Sequence, residues 1–140
     1  MSRSRPRSAR ALARALEVVY GIGRLAFGAG LIVNPVPLGN VLIGKESRKP
    51  AVRTMFRFYG TRDVALGLGA LRATARGDDV APWVAAGVLS DALDATVLLT
   101  ERGTLPQGKR LPGVLAALGA GVAGIAILAH RGRVGRRASE

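Results

Sequence analysis

Charged side chains stand well inside stretches that otherwise read as membrane spans: Glu17 and Arg24 in the first, Arg62 and Asp63 in the second, Asp91 and Asp94 in the third. Charge near a bilayer centre is costly unless it is paired, protonated or hydrated. Such residues therefore turn toward a bundle interior and mark proton paths, ligand sites or structural pins. Carboxylates placed this way can exchange protons or hold a cation, and a nearby guanidinium tunes or neutralises them.

Helical spacing gathers these charges onto seams. In the first span Glu17, Gly21, Arg24 and Gly28 share one face, and in the second Gly60, Asp63, Gly67 and Ala70 do. Gly87, Asp91, Asp94 and Leu98 form the stripe of the third span, and Gly113, Ala117, Gly121 and Gly124 that of the fourth. Small residues let helix backbones approach closely where no hydrophobic drive exists, so Gly60, Gly67 and Gly121 are read as packing positions. At about 1.5 Å per residue, Arg24, Asp63 and Asp91 fall within a turn of the midplane, with Asp94 a further turn toward the same side as Arg24 and Asp63. The spacing thus predicts an intramembrane cluster of Arg24, Asp63, Asp91 and Asp94, as a proton or ligand site or as a pin. Glu17 lies nearer the opposite surface, served by Arg14 or water. Arg57 and Arg62 are placed peripherally, Arg62 being about 100° round the helix from Asp63. One guanidinium facing three carboxylates, or two if Arg62 turns inward, predicts that at least one carboxyl holds a proton near neutral pH.

The elements that must position these groups are four apolar blocks at residues 11–33, 56–74, 80–100 and 111–129, of which the last is free of charge. Each is close to the ~20 residues needed to cross a hydrocarbon core. Asn34-Pro35-Val36-Pro37 stops the first block, because proline disfavours helix at the residue before it. Residues 38–44 are apolar but too short to cross, and read as an interfacial, re-entrant or covered piece. The second span lies within a helix starting near Pro50, Gly77-Asp78-Asp79 is a tight turn, Asp79 caps the third span, and Trp83 sits at interfacial depth. Residues 1–10 and 131–140 read as a disordered basic N-terminus and a basic tail. The expected fold is an all-α, four-helix transmembrane bundle. A small excess of Lys and Arg on the side of the termini places both in the cytoplasm.

The net charge of +12 and pI near 11.7 raise nucleic-acid binding as a class. The basic residues, however, lie mostly between or outside the apolar blocks, and no DNA- or RNA-binding motif accompanies them. Contacts with anionic lipid headgroups explain them, and no nucleic-acid partner is expected. The absence of cysteine excludes disulfides, thiolate metal sites and cysteine nucleophiles. No Ser/His/Asp set or metal-ligand spacing is present, Gly21-x-Gly23 lacks the strand of a dinucleotide fingerprint, and His130 is a lone residue at a helix end. The sequence therefore predicts no enzyme, no metal and no cofactor.

The segment Arg57-Phe58-Tyr59-Gly60-Thr61-Arg62-Asp63-Val64-Ala65-Leu66-Gly67 carries the arrangement R-x-x-G-x-R-D-x-x-L-G. Together with Gly23-Arg24-Leu25-Ala26-Phe27-Gly28, Asn34-Pro35 and Asp91-x-x-Asp94, it resembles a family of small four-helix bacterial integral membrane proteins of unknown function. The resemblance covers roughly residues 15–130. It implies a four-helix membrane fold and a polar motif of Arg24, Arg57, Gly60, Arg62, Asp63, Gly67, Asp91 and Asp94, and it supplies no activity. Two functions are expected to compete. One is a non-enzymatic accessory or interaction subunit in the lipid bilayer, partnered by another membrane protein or by its own copies, with the cluster pinning its helices. The other is a small homodimeric proton- or ion-coupled transporter using the intramembrane carboxylates, its pathway lying between protomers.

Overall fold

The computed structural model describes residues 5–100, 108 and 110–136. The described chain is all-α, with four long helices and a short fifth: α1 (Arg5–Val33), α2 (Pro35–Ile43), a 3-10 turn (Gly44–Arg48), α3 (Pro50–Arg76), α4 (Ala81–Thr100) and α5 (Arg110–Arg136). Three stretches are long and apolar enough to cross a membrane: Arg10–Val33, Ala81–Thr100 and Gly113–Gly132, with mean hydropathies of 1.6, 1.4 and 1.9. The helix α3 is as long as α5 but carries Arg53, Arg57, Arg62, Asp63, Arg72 and Arg76, and falls outside that set.

Helix boundaries follow local chemistry. The first helix ends at Val33, ahead of Pro35, and Arg57 donates from Nε to the Ile32 carbonyl oxygen at 3.2 Å, satisfying a carbonyl left over at the helix end. Pro35 and Pro50 occupy the first turns of α2 and α3, where a missing N–H is no loss. Gly77 ends α3 in the left-handed region at φ 77°, and Asp79 Oδ1 accepts from the Ala81 amide at 3.0 Å to cap α4 as predicted. At the N-terminus α1 extends into the stretch read as disordered, being helical from Arg5. Ala and Arg are strong helix formers, and Pro6 falls in the tolerated first turn. Residues 1–4 and 137–140 lie outside the described residues, as does most of the loop between α4 and α5. Helix α5 continues through 131–136 of the basic tail.

The segment 38–44 is neither a crossing nor an open loop. It forms most of α2, which folds back over α1, α3 and α5. Ser47 is fully buried beneath it, donating to Asn40 Oδ1 at 3.2 Å, and Gly39 lies against Phe56.

The long helices pack antiparallel in two pairs, α1 on α3 and α4 on α5, joined by narrower α1–α5 and α3–α4 contacts. The α1–α3 seam is set by two glycine crossings. A Cβ added at Gly28 would stand 2.5 Å from the Gly60 carbonyl oxygen, and one at Gly67 would stand 2.7 Å from that of Gly21. The backbones touch at both points, the approach that small-residue seams permit. The start of α1, the end of α3, the start of α4 and the end of α5 share one end of the bundle. There Tyr20, Ala70, Ala73, Val80, Val84 and Ile127 form the apolar core, and Trp83 lies across Gly69.

Candidate functional site

Midway between the two glycine crossings the α1–α3 seam is charged. Arg24, three residues beyond Gly21 and four before Gly28, faces Asp63, which stands three residues beyond Gly60 and four before Gly67. Arg24 Nη1 donates to Asp63 Oδ1 at 2.5 Å, Nη2 donates to Asp91 Oδ2 on α4, and Nε donates to the Tyr20 hydroxyl at 3.1 Å. One guanidinium thus spends its donors on three elements, in the planar fork geometry that suits arginine to paired carboxylates. Its reach to α4 depends on Gly87, where any side chain would run into the Tyr20 hydroxyl and Arg24. Arg24, Asp63 and Asp91 are all buried, and each is paired and hydrogen-bonded, as the burial of charge requires.

Asp94 is not a partner of Arg24. It takes a bidentate pair of bonds from Arg62, at 3.1 Å from Nη1 to Oδ1 and 2.8 Å from Nη2 to Oδ2. This corrects the peripheral placement of Arg62: the rotation of about 100° away from Asp63 aims it at the flank where α4 passes, and its long side chain bridges α3 to α4. Arg62 Nη2 also lies 3.9 Å from Asp63 Oδ1, so the two ion-pair sets form one network of two guanidiniums and three carboxylates. Arg62 Nε is buried without a hydrogen-bond partner among the described residues.

The two halves of the network have the same parts. Arg24 lies over the Tyr20 ring and Arg62 over the Tyr59 ring, each 5.4 Å from the centroid, and each arginine pairs with an aspartate on α4. They differ in exposure. The Arg24 and Asp91 side chains are each 7% exposed, whereas those of Arg62 and Asp94 are 31% and 30% exposed. The open half lies on the wall of a half-open cavity of about 490 Å³, lined by all five helices and bordered by Arg24, Arg62, Asp63, Asp91 and Asp94, with otherwise mostly apolar walls.

A second polar cluster closes the bundle at the end shared by the described chain ends. Glu17, buried on α1, accepts from Thr74 Oγ1 at 3.2 Å and from Arg131 Nη1, and Arg131 Nη2 reaches the capping carboxylate Asp79 at 3.2 Å. Glu17 is therefore served from α5 and α3, and Arg14 is exposed. The sequence places Arg131 in a tail, but antiparallel helices bring the end of α5 beside the start of α1, and the helix simply runs on. Arg57 stays at the periphery, on the α1 carbonyl end. Gly60 and Gly67 are contact points, and Gly121 is a looser one, where a Cβ would meet Asp91 Cβ at an ordinary 3.6 Å. The tight α5 position is Gly124, against Val88.

Tyr20 was missed, although it stands one helical turn before Arg24. So was a signal visible in the chain: Tyr20-Gly21-x-x-Arg24-x-Ala26-x-Gly28-x-Gly30 on α1 is repeated on α3 as Tyr59-Gly60-x-x-Asp63-x-Ala65-x-Gly67-x-Gly69. The repeat puts a cation and an anion at equivalent positions of two helices that pack antiparallel, so the matching glycines cross in pairs and the opposite charges meet. Comparisons with protein-family models, with curated proteins and with solved structures found no match to this chain.

Proposed function

We propose that the chain is a four-span integral membrane protein without enzymatic activity, acting as an accessory or interaction subunit whose helices are pinned by the Arg24 network. The observation that carries this reading is the coordination of one buried guanidinium by groups from α1, α3 and α4, together with the three stretches in α1, α4 and α5 that are apolar and long enough to cross. In this reading α3 also crosses, its Arg62 and Asp63 satisfied by α1 and α4 and its terminal arginines extending toward headgroups.

The natural absence of cysteine makes the test direct. Single cysteines at Lys45 and at Asp78 flank α3, and a membrane-impermeant thiol reagent should label them from opposite sides of sealed vesicles. Labelling from the same side would leave α3 on one side and end the four-span reading. Asp91→Asn should lower stability or assembly without any transport phenotype.

A second reading, a small proton- or ion-coupled transporter, is favoured by the cavity, whose wall holds Asp63, Asp91 and Asp94. That cavity is lined by a single copy of the chain and is half open, so a second copy could complete it. This reading predicts pH-dependent ligand binding that disappears in Asp91→Asn.

A further inference from the structure

The duplicated tyrosine–arginine–aspartate units assign different tasks to equal parts. The closed unit, Tyr20, Arg24 and Asp91, already ties α1 to α4. The open unit, Tyr59, Arg62 and Asp94, adds a second tie between α3 and α4 yet leaves its ionic groups almost one-third exposed on a cavity wall. Groups of this kind inside an apolar cavity are the few placed polar contacts by which small-molecule sites orient a ligand, and about 490 Å³ falls within the range of such sites.

We propose that the cavity binds a small primary amine with an apolar body, its ammonium received by Asp94 and Asp63. The charge on the wall sets the sign. Three carboxylates face two guanidiniums, so ionising all three leaves one negative charge, which a bound monocation balances in place of a proton. The hydrogen bonding sets the head group. Arg24 occupies one oxygen of Asp63 and Arg62 places one bond on each oxygen of Asp94, whereas an ionised carboxylate offers about four acceptor sites. The remaining lone pairs can accept from N–H donors, which a primary ammonium supplies and a quaternary one lacks. Phe27, Leu31, Met55, Phe56, Val97 and Leu98 provide the apolar surface for the body. The inference deepens the ligand-binding reading above and needs no flux, so binding without transport would sink the transporter and leave the site.

Phenylbutylamine, phenylbutanol and phenylbutyrate share one body and differ in head group. Equilibrium dialysis of each against the full chain in nanodiscs, with empty nanodiscs as blank, reads the charge preference. The amine should bind saturably and the alcohol and acid at least about tenfold more weakly, the scale of one charged hydrogen bond. The trimethylated amine should also lose about tenfold. Asp94→Asn should weaken amine binding, and so should Ala117→Phe, which fills the cavity from α5 and removes no ionic group. Ala117→Phe keeps the test valid should Asp94→Asn fail to fold. Equal binding of amine and alcohol, no saturable amine binding, or amine binding unchanged by Ala117→Phe would each overturn the proposal.

Discussion

Gly28 of α1 and Gly60 of α3 are in backbone contact: a Cβ on the first would stand 2.5 Å from the carbonyl oxygen of the second, and a Cβ on Gly60 would stand 2.6 Å from that of Gly28. The obstacle on each side is main chain, which cannot rotate away, so the two helices must separate to admit any side chain. They cannot do so without lengthening the Arg24–Asp63 bond one turn along.

Gly28→Val should therefore destabilise by at least about 2 kcal/mol, the scale of overpacking a tight contact, and should weaken the ion pair with it. Gly23, on the same helix with open space around its Cα, is the control. Gly23→Ala should be neutral or stabilising by up to about 1 kcal/mol through helix propensity. Thermal unfolding midpoints in detergent check both signs.

Arg24→Leu strands two buried carboxylates. The expected loss is about 3–5 kcal/mol, as for other buried ion pairs broken from one side. Replacing Arg24, Asp63 and Asp91 together by leucine removes the unpaired charges and should recover much of that loss. If the single and triple variants melt alike, the cost lies in packing and the pin is not electrostatic.

Glu17 and Arg131 couple the first and last helices at the far end. A double-mutant cycle with Glu17→Gln and Arg131→Gln should return a coupling energy of about 1 kcal/mol or more, within the range for residues sharing a network. Asp79→Ala should cost about 1 kcal/mol by removing the α4 cap and should also reduce that coupling, since Arg131 bridges both carboxylates.

Arg57→Ala should loosen the last turn of α1. The Ile32 carbonyl would lose its donor, so amide exchange at the end of α1 should quicken while the Arg24 network stays protected. Uniform loss of protection would place Arg57 in the global fold.

Period and composition made the helices legible, because a seam of small and charged residues every three or four positions has only one geometry. Arg24, Asp63 and Asp91 were placed together for the same reason: each sits on a seam near mid-helix. The pairing of Asp94 was not legible. Spacing fixes the face of a residue but not which neighbour flanks that face, and Arg62 reaches sideways across the gap between α3 and α4. The Arg131 contact was hidden by composition, since a run of Arg and Gly after an apolar block looks like a solvated tail until the helix is seen to continue. The fold of 38–44 depended on Ser47 and Phe56 closing beneath Gly39, contacts that periodicity does not encode.

The Arg24 network also has a history in time. The partners of Arg24 lie 39 and 67 residues downstream, and synthesis runs at about 5–20 residues per second. In the four-span reading the guanidinium of the first helix waits seconds for its second carboxylate. During that interval α1 carries a guanidinium whose carboxylate partners are not yet in place. A nascent chain ending before Pro50 should leave α1 extractable or held at the insertion machinery, and integration should become stable only once Asp63 has emerged. In that reading the ion pair that locks the finished bundle would also govern when its first helix becomes stable in the bilayer.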